Sequence, residues 1–256
     1  MYRNTDCKLQ AHRGVSTDCP ENTMAAFKEA VRQGYDVIEF DPKYTRDGQI
    51  VVLHDRTLNR TGEIAGKKLD RTVNIADVDY KDLCDLDVGS WFSDKFAGER
   101  VPTLSQALDY MKSAGIEAKI DNVVQSFPPE LQQKTFDIIE KHGKKGAVGL
   151  TCSDLELLEK FAVRFPGAPL HYDGPVNGEA LDRLKGFSCG HDVVVWMRLD
   201  NKATSWNATP PVDERLSRLV RENFKLGVWI LSDDEEMDRA LAFKPYIVET
   251  TGGIKP

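Results

Sequence analysis

Apolar positions along the chain switch between two periods. From Val37 to Asp41 they alternate, with Val37, Glu39 and Asp41 on one side of an extended strand and Ile38 and Phe40 on the other. From Met24 to Val31 they recur at helical spacing, through Met24, Ala25, Phe27, Ala30 and Val31, and Gly34 closes the segment. A short candidate strand, Cys7 to Ala11, precedes that helix. The opening stretch therefore reads strand, helix, strand, a βαβ unit with parallel strands and a right-handed crossover. The rhythm resumes further on. Strands are predicted at 116–120, 147–152, 170–172, 193–197, 227–231 and 246–249. Helices are predicted at 104–114, 129–142, 154–165, 178–187, 211–224 and 234–243, with Thr103 and Ser153 as caps for the first and third of these. Eight strand positions with helices between them predict an α/β chain folded as a (β/α)8 TIM barrel, a single domain over residues 1–256. Residues 56–101 break the rhythm. They are polar, carry turn residues, one helical pattern at 75–86 and the aromatics Trp91, Phe92 and Phe96, and are expected to form a small insertion at the barrel mouth.

The strand ends carry the candidate chemistry, because barrels of this kind place their sites at the C-terminal ends of the strands. Glu39 and Asp41 share one face late in the second strand, and two like charges that close call for a cation between them. Arg46-Asp47-Gly48-Gln49 is a turn signal, and Ile50 to Leu53 runs back from it. Counted outward from Asp47 and Gly48, Asp41 and His54 lie equally far, which in a simple hairpin makes them neighbours roughly 5 Å apart. His12 ends the first strand. In the third, period two puts Glu117, Lys119 and Asp121 on one face, with the two acids about 13 Å apart at ~3.3 Å per residue, too far to share one ion. Structural readings compete at each position: Arg13 pairing Glu39, Lys119 neutralising Glu117, Trp196 and Trp229 as barrel core, His171 merely near a strand end.

Charge narrows the partners. The net charge is −7 with no basic tract, which argues against nucleic acid and means that an anionic substrate needs a metal or a few Arg and Lys for local positive charge. No apolar run is long enough to span a bilayer, and the start of the chain lacks an apolar signal core, so a cytoplasmic protein is expected. The five cysteines are odd in number and widely spaced, and read as reduced thiols.

The ordered set Ala11-His12-Arg13-Gly14, Pro20-Glu21-Asn22-Thr23, Ile38-Glu39-Phe40-Asp41, Thr45-Arg46-Asp47-Gly48 and Val52-Leu53-His54-Asp55 resembles the glycerophosphodiester phosphodiesterases. So do Leu86 to Phe92, Val101-Pro102-Thr103-Leu104, the E-x-K run Glu117-Ala118-Lys119 and Val228-Trp229. The resemblance implies metal-dependent hydrolysis of a small glycerophosphodiester to sn-glycerol 3-phosphate and an alcohol. It implies His12 and His54 as the acid–base pair, and Glu39, Asp41 and Glu117 as ligands of Mg²⁺ or Ca²⁺. Arg13 and Lys119 would contact phosphate, Glu21 and Asn22 would shape the first loop around the substrate, and Trp91 and Trp229 are the aromatic candidates for substrate contact. Position along the third strand favours Asp121 as the third ligand. The E-x-K pattern selects Glu117 and leaves Asp121 a loop or outer residue. The last strand departs from the family, reading Glu249-Thr250-Thr251 where a Thr-Asp pair is usual. Competing readings are a phospholipase C- or D-like enzyme acting on a lipid and a non-catalytic barrel. A homo-oligomer is compatible with the sequence.

Overall fold

The computed structural model describes residues 6–200 and 209–256. In chain order its strands are β1 (Lys8–Ala11), β2 (Val37–Phe40), β3 (Pro42–Tyr44), β4 (Ile50–Val52), β5 (Glu63–Ile64), β6 (Lys67–Lys68), β7 (Glu117–Ile120), β8 (Val148–Cys152), β9 (Leu170–Tyr172), β10 (Val193–Arg198), β11 (Lys225–Leu231) and β12 (Ile247–Thr250). Eight of them close into a parallel barrel in the order β1-β12-β11-β10-β9-β8-β7-β2, so the (β/α)8 expectation holds. The α-helices are α1 (Met24–Gln33), α2 (Tyr80–Leu83), α3 (Leu104–Ala114), α4 (Pro129–His142), α5 (Leu155–Arg164), α6 (Gly178–Phe187), α7 (Glu214–Arg221) and α8 (Asp234–Leu241). All but α2 follow barrel strands or the insertion in the expected rhythm. Among the described residues no helix is long and apolar enough to cross a membrane.

The alternation in β2 does what its pattern predicts. Ile38 and Phe40 are fully buried in the layer between barrel and helices, beside Phe27 of α1 and Leu108 of α3. Val37 points the other way and packs inside the barrel with Val194, Trp196 and Ile247. Helix ends also follow local chemistry. Thr103 caps α3 in a capping box with Gln106, an arrangement worth ~1 kcal/mol.

Three local expectations are corrected. The turn after β3 spans residues 45–49, with Thr45 N–H donating to the Gln49 carbonyl at 3.0 Å and Gly48 in the left-handed region at φ 75°. That longer turn pairs Pro42 with Val52, so Asp41 lies opposite Leu53, and His54 falls one residue beyond it. The helical pattern at 75–86 becomes a 3-10 turn, Ile75–Asp77, and the single-turn α2, because Asp79 and the surrounding polar residues interrupt the apolar face. Asp154, not Ser153, caps α5, its carboxylate accepting from Glu156 and Leu157 N–H. Residues of the segment between β4 and α3 bury a small cluster of their own, Leu58, Ile75, Leu83, Leu86 and Val88, against Val51 and Leu53.

Candidate functional site

Strand register decides which inward side chains share a level. β2 pairs with β7 as Val37–Glu117, Glu39–Lys119 and Phe40–Ile120, and Asp121 N–H donates to the Phe40 carbonyl at 3.1 Å. Asp41 and Asp121 thus leave their strands at the same height. Ligand oxygens of Glu39, Asp41 and Asp121 all lie within 4.8 Å of one another. Glu117 is not brought to this cluster. It sits opposite Val37 at the N-terminal end of β7, is partly exposed, and pairs with Lys8 Nζ at 2.8 Å. The carboxylate that the fold brings beside Glu39 and Asp41 is Asp121, four positions along the chain from Glu117.

The loop after β1 wraps the cluster. Arg13 and Asn22 both adopt positive φ, 59° and 56°, and Gly14 follows at 76°. A Cβ on Gly14 would lie 2.7 Å from Ala26 of α1, so the close approach of loop and helix requires glycine there. The strained turn aims Arg13 N–H at Glu39 Oε2, at 2.9 Å. The Arg13 guanidinium lies 3.3 Å from Asp41 Oδ2 and donates to Glu21 Oε1 at 3.0 Å. Asn22 Nδ2 donates to Asp41 Oδ2 at 2.7 Å. Glu21 in turn accepts from Arg60, which also binds Asp55, and Asp55 Oδ1 lies 2.7 Å from His54 Nδ1. One chain of charge-assisted bonds therefore runs from the first loop through Arg60 to His54.

Beneath this layer lies a second buried network. Lys119 Nζ donates to Glu249 Oε2 at 3.0 Å and lies 4.5 Å over the Trp196 ring, and Gln10 Nε2 also donates to Glu249. His12 Nε2 is 3.9 Å from Glu249 Oε1. Lys119 is thus committed to a carboxylate within the barrel. Trp196 donates its Nε1–H to His171 Nδ1 at 3.0 Å.

The electrostatics follow from burying so many acids together. Burial, then the Asp41 charge, pushes Asp121 up to about 7. Burial, with Asp41 and Glu249 adding, raises Glu39 well above the usual carboxylate range. Asp41 is equally buried, yet Arg13, His54, Lys43 and the Asn22 bond hold it below its ordinary value. Burial pulls the His12 imidazole down to about 4, despite Glu249. Carboxylates raised by burial and then by one another's charge mark a place where a cation relieves the strain. Three convergent carboxylates are hard oxygen donors that fit Mg²⁺ or Ca²⁺, so the residues present suit a divalent ion.

A cavity of about 90 Å³ opens at the C-terminal ends of the strands. His12, Arg13, Asp41, His54 and Asp121 line one side, and Thr151, Asp173 and Trp229 line another. Lys119, Trp196 and Glu249 also reach it. Trp91 is not among its lining residues. It donates Nε1–H to the Val88 carbonyl at 2.8 Å and lies 5.8 Å from the Arg60 guanidinium, so it braces the insertion instead. Sequence reasoning singled out His12, Arg13, Asp41, His54, Lys119 and Trp229 of this lining and weighed Asp121, but gave Thr151 no role and did not name Asp173. Both stand at or just past a barrel strand's C-terminal end, a position that could have marked them.

A family model described as the glycerophosphoryl diester phosphodiesterase family matches residues 12–246. A glycerophosphodiester phosphodiesterase of Caldanaerobacter subterraneus is 37% identical over 134 residues, 52% of this chain and 52% of that protein. One from Bacillus subtilis is 32% identical over 172 residues, 62% of this chain and 56% of that protein. The chain spans about half the length of the curated relatives it matches. In three dimensions it is similar to a phosphodiesterase of Oleispira antarctica solved with its product sn-glycerol-3-phosphate, at a TM-score of 0.75 and 21% identity, over 96% of this chain and 93% of that one.

Proposed function

The chain belongs to the glycerophosphoryl diester phosphodiesterase family, and from that premise we propose that it hydrolyses a small glycerophosphodiester to sn-glycerol 3-phosphate and an alcohol. The observation that carries this reading is the meeting of Glu39, Asp41 and Asp121 within 4.8 Å, with Asp41 and Asp121 lining one cavity with His12, Arg13 and His54. The Oleispira relative's product supports the same substrate class.

Glu39, Asp41 and Asp121 would hold Mg²⁺ or Ca²⁺, which when bound withdraws charge from a phosphate oxygen. Arg13, fixed by Asp41 and Glu21, adds a positive edge to the same side of the cavity and orients the anionic diester. His12 is held neutral by burial, which suits it to accept the proton of the attacking oxygen. His54 has its Nδ1 beside Asp55, so Nε2 is the nitrogen presented to substrate and the carboxylate steadies the imidazolium. Protonated His54 donates its own Nε2 proton to the leaving alkoxide as the P–O bond breaks. Hydrolysis thus consumes one water and returns both histidines to their starting state after one proton exchange with solvent. Trp229 forms an apolar wall for the organic part of the substrate.

The test is to incubate purified protein with a panel of glycerophosphodiesters and with Mg²⁺, Ca²⁺ or chelator, detecting glycerol 3-phosphate by a coupled assay. Cation-dependent release from at least one diester is expected. Absence of release from every diester under every cation would sink the reading.

A further inference from the structure

The cavity wall at the ends of β8 and β9 holds two polar atoms that no described protein group satisfies. Thr151 Oγ1 and Asp173 Oδ1 are both buried and, among the described residues, have no hydrogen-bond partner. Both residues line the same cavity as His12 and Asp121. Thr151 pairs with His171 of β9, so Asp173, two positions on, shares the inward face one step nearer the mouth. The orientation of Asp173 is fixed by two hydrogen bonds. Asn122, next in the chain after Asp121, donates Nδ2–H to its Oδ2, and Thr209 Oγ1 donates to its backbone carbonyl. Leaving a buried polar atom unpaired costs ~1–3 kcal/mol, so two such atoms lining one cavity point to a ligand that pairs them.

We propose that Thr151 and Asp173 form a hydroxyl-recognising subsite that selects a hydroxylated substituent on the phosphate, the glycerol part of the substrate. This deepens the phosphodiesterase reading and rests on it. One glycerol hydroxyl accepts from Thr151 Oγ1–H and the other donates to Asp173 Oδ1. One free acceptor and one group that both donates and accepts match the donors and acceptors of two hydroxyls. An ammonium has donors only and would leave the Thr151 hydrogen unmet. The ring of Trp196, which could otherwise receive a cation, already faces Lys119. Asn122, which holds Asp173, follows Asp121 directly, and Asp121, Thr151 and Asp173 line one cavity. A site built to hydrogen-bond a hydroxyl rejects the analogue that lacks it, because its own buried groups are then left unpaired.

The experiment compares two diesters with the same leaving alcohol, sn-glycero-3-phosphoethanol and propyl ethyl phosphate, on wild type, Thr151→Val and Asp173→Asn, with Mg²⁺ present. The second diester lacks both glycerol hydroxyls. Binding of sn-glycerol 3-phosphate and of propyl phosphate is measured in parallel by calorimetry, and thermal melts establish that the variants fold. Wild type should favour the glyceryl diester about 10³-fold or more in kcat/KM. Each variant should lose about tenfold or more on that substrate and little on the propyl one, with the same pattern in binding. Hydroxyl-dependent binding in a wild type that hydrolyses neither diester would keep the subsite and remove the hydrolase reading. A wild type that hydrolyses both diesters alike, or variants that lose equally on both, would overturn the subsite while the hydrolase reading stands. Neither binding nor turnover would overturn both.

Discussion

Asp121 and Glu117 lie on the same face of one strand, yet they live in opposite surroundings. Asp121 shares a buried layer with Glu39 and Asp41, whereas Glu117 meets Lys8 at the solvent-exposed base of the barrel. Asp121→Asn should therefore raise the cation concentration for half-maximal rate by at least about tenfold. Glu117→Gln should leave that concentration unchanged and lower stability by at most about 1 kcal/mol, the range of a partly exposed ion pair. The opposite ranking in a cation titration of rate would mean the third ligand is misplaced. The pair His54 and Asp55 makes a second residue-scale expectation. His54→Asn should lower kcat by roughly 10²–10⁴. If Asp55 acts by orienting His54, the double variant with Asp55→Asn should be no slower than His54→Asn alone, whereas independent roles would multiply the losses.

At the scale of elements, the insertion is tied together by one carboxylate. Asp87 accepts from the N–H groups of Gly89, Ser90 and Gly98 and from the Ser90 hydroxyl, at 2.7–2.9 Å. Burial raises the Asp87 carboxyl, but these bonds outweigh it and bring it down to about 2. A carboxyl lowered on folding stabilises the fold above its unfolded value of ~3.9, and that stabilisation is lost as pH falls through the folded value. Amide exchange at residues 87–99 should therefore accelerate between about pH 4 and pH 2, beyond its intrinsic pH dependence, and the Asp87→Asn variant should show fast exchange already at neutral pH. A variant protected like wild type at pH 7 would show that the loop is held by Trp91 and its neighbours instead.

For the whole molecule, the network of Lys119, Glu249 and Gln10 sits inside the barrel, where strands from opposite halves of the chain meet. Buried ion pairs add little net stability, but breaking one strands a charge. Lys119→Met or Glu249→Leu alone should cost about 3–5 kcal/mol in urea unfolding, and the double variant should cost less than either. Additive losses in the double variant would show that the two side chains act separately. The same closure that buries this pair also brings the first strand's His12 next to the last strand's Glu249.

The order and type of most elements were legible in the sequence, because a strand's period of two and a helix's 3.6 are local properties. His12, Glu39, Asp41 and His54 were legible as a group for the same reason: a short βαβ unit and one hairpin carry them all. Even there, the five-residue turn at 45–49 moved His54 one position from its expected partner, since a hairpin's register depends on the turn type its loop adopts. Alternation within β7 identified Glu117, Lys119 and Asp121 as inward candidates but could not say which of them reaches the level of Glu39. That is set by the stagger between neighbouring strands when a barrel closes, a property of the sheet rather than of any strand. The meeting of Asn122 with Asp173 and of Lys119 with Glu249, and the place of Thr151 in the same cavity wall, were decided in the same way, because these residues lie far apart in sequence and come together only when the barrel closes.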